Sequence, residues 1–205
     1  MLSDRKQRDA HVLSDMERSM DTIMADYITT YTKVHFTPLN PKKEEIRMED
    51  IAHALSMMTR ANGHFPEFYS VGQHCLACAD EAHARGGSVF LELACLLHDA
   101  AESYLADVTR PVKQHMEFFE KAESRLLNMI YERFLGRIPT GEEQAFIKQV
   151  DDTLLYHEFY HYMGEKLFEE PMQIISAPCF VTRNFSEIEQ QYKERFKALT
   201  ARLYS

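Results

Sequence analysis

The sequence predicts an all-α fold, a helical bundle with five or more main helices. Three observations carry this. Apolar residues recur at three- and four-residue spacing in segment after segment. Ser and Thr capping signals precede several of those segments, and Gly or Pro closes them. No segment alternates convincingly as a strand, apart from a short chance at "IISAPCFV".

The elements follow in order. Residues 12–28 predict a first helix with Met16, Met20, Ile23 and Met24 on one stripe. It forms an N-terminal extension, at about residues 1–30, to a single domain covering 1–205. Pro38 and Pro41 then interrupt any helix. Ile51, Leu55 and Met58 share one face from Met48 to Thr59. "RANGHFPEF" breaks the pattern, and Val71 to His83 resumes it, closed by Gly86 as a C-cap. Ser88 caps the next helix, expected to end near Glu102. Pro111 opens a long stretch to Leu135 through Met116, Phe119, Leu126, Ile130 and Phe134. Thr140 with Glu143 reads as a capping box for a helix running to about Glu169. Ser186 with Glu189 repeats that signal before the last helix.

Composition narrows the function classes. The chain has 205 residues, 45% hydrophobic and 27% charged, which suits a globular protein with a sizeable core. A net charge of −9 argues against long nucleic acid and acidic membrane surfaces as partners. Small phosphorylated ligands stay open, because a local cation inverts the charge logic inside a site. The four cysteines are too few for a disulfide scaffold. Cys75 and Cys78 form one CxxC, read here as buried thiols rather than a redox pair. With no signal-peptide core and no run of membrane-spanning length, a cytoplasmic location is expected.

The chemistry concentrates in the histidines and acids. His98 and Asp99 are adjacent, and on a helix they point about 100° apart. Both can reach one ion placed at the helix edge or its last turn. His74, on the preceding helix, can add a second imidazole, and Asp151 or Asp152 a distant carboxylate. Such a mixed set favours manganese, cobalt, nickel, iron or zinc over an all-oxygen magnesium site. A rival pattern is "HEFYH", where His157, Glu158 and His161 match the HExxH of zinc peptidases. It has no recognisable third ligand.

Several segments together resemble the HD-domain metal-dependent phosphohydrolases, most closely the branch of the bacterial 5'-deoxynucleotidases. They are "MEDIAHALS", "RANGH", "FYSVGQHC", "LLHDAAESYLADVTRPVK" and "IKQVDDTLLYHE", spanning about Tyr31 to Glu158. The resemblance implies the helical HD fold and one divalent ion held by His74, His98, Asp99 and Asp151, with Glu158 structural or behind the ligands. It implies Glu102 and Asp107 as catalytic acids, and Arg60, His64 and Lys113 on the substrate side. The implied substrate is a small phosphorylated molecule, a nucleoside monophosphate first. The family's glycine, proline and arginine are replaced by Ala106, Thr109 and Thr153, none of which removes a metal ligand. A non-catalytic nucleotide-binding or interaction protein on the same scaffold is the alternative. Related proteins often dimerise, so the first helix buries its stripe on its own domain or on a second copy.

Overall fold

The computed structural model describes residues 26–170 and 172–205. Among them are seven α-helices: α1 (Met48–Met57), α2 (Val71–Ala84), α3 (Val89–Leu97), α4 (Arg110–Lys113), α5 (Glu117–Phe134), α6 (Gly141–Met163) and α7 (Phe185–Leu203). The all-α expectation holds, with α2, α3 and α6 at the centre. The expected first helix, with Met16, Met20, Ile23 and Met24, lies almost wholly outside the described residues, as does any homodimer contact it makes. No helix among the described residues is long and apolar enough to cross a membrane.

A small hairpin precedes the helices, pairing β1 (Ile28–Thr29) with β2 (His35–Phe36). Sequence periodicity does not reveal it, because two-residue strands are too short to alternate. Its turn is anchored on α1: Asp50 accepts from the Thr32 N–H at 2.7 Å and from the Thr32 hydroxyl at 2.9 Å. The segment "IISAPCFV" forms no strand. Its backbone is held instead by the buried Glu81 carboxylate, which accepts from the Ile175 and Ser176 N–H groups.

Local chemistry sets the boundaries. The Ser70 and Ser88 side chains cap α2 and α3 by accepting from Gln73 and Leu91 N–H. The Thr140–Glu143 capping box opens α6. Three expectations need correction. The helix expected from Pro111 to Leu135 is broken between Lys113 and Glu117, giving α4 and α5. Helix α6 stops at Met163, not near Glu169, because Gly164 adopts the left-handed conformation at φ 65° and ends it. Asn184, not Ser186, caps α7.

One contiguous apolar core joins Ile51 and Leu55 of α1, Leu93, Leu96 and Leu97 of α3, Leu126 and Ile130 of α5, Leu154 of α6 and Tyr192 of α7. Gly72 lets α2 approach α1. An added Cβ there would meet Leu55 O and Ser56 Cα at 3.2 Å and Ile188 Cγ2 at 3.1 Å. That close packing seats the next residues of α2, His74 among them, in the middle of the bundle.

Candidate metal centre

Helix α3 ends at Leu97, earlier than the expected Glu102, and this early end builds the site. His98 is the C-cap, and Asp99 leaves helical geometry at φ −100°, ψ 10°. A 3-10 turn then runs over Ala100–Ser103. Two neighbours that would diverge on a continuous helix therefore point at one place. His98 Nε2 lies 3.3 Å from Asp99 Oδ1.

His74 is fully buried on α2. Its Nε2 lies 3.2 Å from His98 Nε2, 3.2 Å from Asp151 Oδ1 and 3.8 Å from Asp99 Oδ2. Asp151 Oδ1 is also 3.7 Å from His98 Nε2. Donor atoms held about 2.0–2.2 Å from one ion stand about 2.8–3.6 Å apart at adjacent octahedral or tetrahedral positions. The observed separations fall on or slightly above that range, so donor atoms of His74, His98, Asp99 and Asp151 come together in one place.

The proton positions support the same reading. His74 Nδ1 donates to Glu158 Oε1 at 2.6 Å, and His98 Nδ1 donates to the Cys95 carbonyl at 2.7 Å. Both Nδ1 atoms are committed, so both Nε2 lone pairs face each other. Two neutral imidazoles in that arrangement repel and need a proton or a cation between them. Among the described residues, the buried Asp99 Oδ2 has no hydrogen-bond partner. A divalent ion would satisfy all of these groups at once.

Burial and the Arg60 charge act against it, yet the Cys78, Glu158 and Asp151 groups hold the His74 imidazole well above its usual value. For His98, burial is again outweighed, chiefly by Asp99 with Cys78 and Asp151. Burial pushes Asp151 upward, but its hydrogen bonds to the two histidines pull it well below the ordinary carboxylate range.

Two cysteines extend the donor set. His74, Cys78 and His98 offer ligand atoms all within 4.8 Å of one another, and so do Cys75, His98 and Asp99. The Cys78 thiol lies 3.4 Å from His74 Nε2. Both thiols are buried and unpaired, as expected. Their nearness to the histidines was not anticipated, although Cys78 follows His74 by four residues and so shares its helical face. The chain thus holds a buried His/Cys/Asp cluster able to bind a metal ion.

Asp99 and Asp151 reach the wall of a cavity of about 480 Å³, also lined by Arg60, Glu102, Asp107, Arg110 and Lys113. Arg60 precedes Ala61 and Asn62, which both take positive φ, 52° and 50°, a strained turn for residues with side chains. The turn is pinched by Arg60 N–H donating to Tyr69 O at 2.9 Å. The Arg60 guanidinium is largely spent: Nη2 lies 3.3 Å from Glu158 Oε2 and Nη1 3.5 Å from Asp99 Oδ2. Lys113 Nζ lies 2.8 Å from Glu123 and 3.9 Å from Glu102. Burial, with the Asp99 and Asp107 charges, pushes Glu102 up to about 10. Burial also raises Asp107. His64 is exposed on its turn and does not line the cavity.

Asp152 points elsewhere, to Lys148 Nζ at 2.6 Å. Arg110 was missed by sequence reasoning. Its Nη2 lies 2.7 Å from both Asp151 Oδ2 and Asp152 Oδ1. The adjacent acids Asp151 and Asp152 were a signal that a cation stands nearby.

The "HEFYH" segment does not assemble a peptidase site. His157 Nε2 donates to the Met172 carbonyl at 2.7 Å, while Glu158 turns inward to His74 and Arg60.

No protein-family model matches the chain. It is 31% identical over 108 residues to the uncharacterized protein YfdR of Escherichia coli, covering 53% of this chain and 58% of that protein. It is 37% identical over 102 residues to an uncharacterized protein of Rhodobacter capsulatus, covering 47% of this chain and 52% of that one. The chain spans about half the length of these curated relatives.

Proposed function

We propose that the chain is a metal-dependent phosphohydrolase of the HD type, with a nucleoside monophosphate as its first-choice substrate. The observation that carries this reading is the convergence of His74, His98, Asp99 and Asp151, with the two acids on the wall of a cavity that also holds two further acids and three cations. A peptidase has no need of three cations beside its acids, whereas a phosphoryl group does. The resemblance of the linked sequence segments points the same way.

The residues that would hold the ion are His74, His98, Asp99 and Asp151. When bound, a divalent ion supplies Lewis acidity and the activation of water at neutral pH. The chain's own residues do the rest. Glu158 and the Cys95 carbonyl fix both imidazoles with Nε2 turned toward the acids. Glu102 is buried, and its Oε2 has no hydrogen-bond partner among the described residues. Its raised pKa keeps a proton on it at neutral pH until a cation offsets the neighbouring carboxylates. It can therefore hold a proton for a leaving oxygen or relay one from water. Asp107 stands on the same wall. Lys113 and the cavity face of Arg60 oppose the negative charge of a phosphoryl group. The cavity volume of about 480 Å³ suits a nucleotide-sized molecule.

The test is a panel of nucleoside monophosphates with manganese or cobalt, run beside a peptide panel. Release of inorganic phosphate is expected. Tight nucleotide binding without turnover under every metal would overturn hydrolysis in favour of a binding protein. Peptide cleavage abolished in Glu158→Gln would revive the peptidase.

A further inference from the structure

The cavity has three cations, and they are not equivalent. The Arg60 side chain is 11% exposed and faces Glu158 and Asp99. The Lys113 side chain is 22% exposed and pairs with Glu123. The Arg110 side chain is 52% exposed. Only one of its nitrogens, Nη2, is engaged, by Asp151 Oδ2 and Asp152 Oδ1. No hydrogen bond among the described residues uses its Nη1 or Nε. Arg110 is thus the most accessible cation on the cavity wall, with donors to spare. It is held in place by a carboxylate whose other oxygen faces the two histidines.

We infer that Arg110 is the phosphoryl-binding residue of this site, bridging the bound anion to the metal ligand Asp151. The inference deepens the phosphohydrolase reading and rests on it for the class of ligand. Nη2 stays on Asp151 and Asp152, while Nη1 keeps two N–H donors and Nε one, open to phosphoryl oxygens. Helix α4 carries this side chain at the cavity wall. Pro111 fixes the backbone angle in its first turn, and Lys113 lies three residues on, on the same side. Arg60, expected as the clamp, is better placed to hold Glu158 and Asp99 together.

The charges make the order of binding explicit. Asp99, Glu102, Asp107 and Asp151 face three cations across this cavity. A divalent ion shifts that balance toward positive, so the anion follows the metal. By linkage, each ligand strengthens the binding of the other to the same degree.

The probe is methylphosphonate, which carries the phosphoryl oxygens but no ester to hydrolyse. Its affinity is measured by calorimetry on the full chain with saturating manganese, for the wild type, Arg110→Ala and Arg110→Lys. Manganese affinity is titrated separately for each. Loss of these donors and their charge should weaken the probe about 10- to 100-fold in Arg110→Ala, the range for charge-assisted hydrogen bonds. Arg110→Lys should recover part of the loss. The wild type should bind the probe at least several-fold more tightly with manganese than without it. Unchanged probe affinity in Arg110→Ala, with only manganese weakened, reduces Arg110 to a residue that positions Asp151 and overturns the inference. A metal-loaded wild type that fails to bind the probe overturns it as well. If the wild type binds the probe through Arg110 yet hydrolyses no phosphomonoester, the hydrolase reading fails while the anion site stands.

Discussion

His74 Nδ1 donates to Glu158 Oε1 at 2.6 Å, and neither side chain reaches solvent. Glu158 and Asp151 lie seven residues apart on α6 and so share a stripe two turns long. One acid grips the back of the imidazole and the other faces its front. Glu158 also meets Arg60, so a single buried carboxylate sets both the histidine tautomer and the arginine position.

Glu158→Gln should keep the shape but weaken the orientation of His74, lowering metal affinity by about 10- to 100-fold. Glu158→Ala should also destabilise the fold by roughly 3–5 kcal/mol, because a buried pair loses one partner. Manganese titration and thermal melts of both variants check this. Wild-type metal affinity in the glutamine variant would remove Glu158 from the account.

Metal binding should release protons and strengthen with pH. The raised His74 and His98 values mean that the metal-free centre carries protons which an ion must displace. The sign for stability follows. Groups raised in the folded state contribute stability that is present below the unfolded histidine value, about 6.5, and lost as pH rises through the folded value. The gap in melting temperature between manganese-loaded and metal-free protein should therefore widen from about pH 6 to about pH 8. A gap that stays constant, with no protons released in calorimetry across buffers, argues against histidine ligation.

Asp151 and Asp152 should separate cleanly. Asp151→Asn should lose most metal affinity, since its Oδ1 faces both histidines. Asp152→Asn should retain it within a few-fold, since that side chain faces Lys148 and Arg110. The reverse pattern would place the distant ligand one residue later.

The pattern of legibility has physical causes. His74, His98 and Asp99 could be named from residue type and spacing, while the choice of Asp151 over Asp152 came from the resemblance of the linked segments. The break at Asp99 could not. A helix end set by packing against the 3-10 turn leaves no capping residue to read, and the pattern ran on to Glu102. The end of α6 was legible in principle, in Gly164, but the apolar and aromatic run continued past it. The hairpin at Ile28–Phe36 depends on tertiary bonds from Asp50, which no local window contains. Arg110 was hidden for a related reason. Its partners are 41 and 42 residues away in the chain, and only folding brings them together. Cys78 was legible as a neighbour of His74 on one helix face, yet it was read only with Cys75, as one of a pair of buried thiols.

Glu102→Gln should spare the ion and lower turnover by roughly 10²–10⁴-fold, the range for a lost general acid or base. The substitution removes the titratable proton but preserves size, so kcat should fall more than KM changes. Assays need saturating metal, so that a weaker ion is not mistaken for slower chemistry. Turnover near the wild-type rate would make Glu102 a scaffold residue and turn attention to Asp107, the other acid on that wall.

The most direct test of the central claim is metal content. Purified protein and the His98→Ala variant are dialysed against manganese or cobalt and analysed for bound ion. The account predicts one ion per wild-type chain and near-complete loss in the variant. A wild type that binds no divalent ion, or a stoichiometric ion that survives His98→Ala, would contradict it.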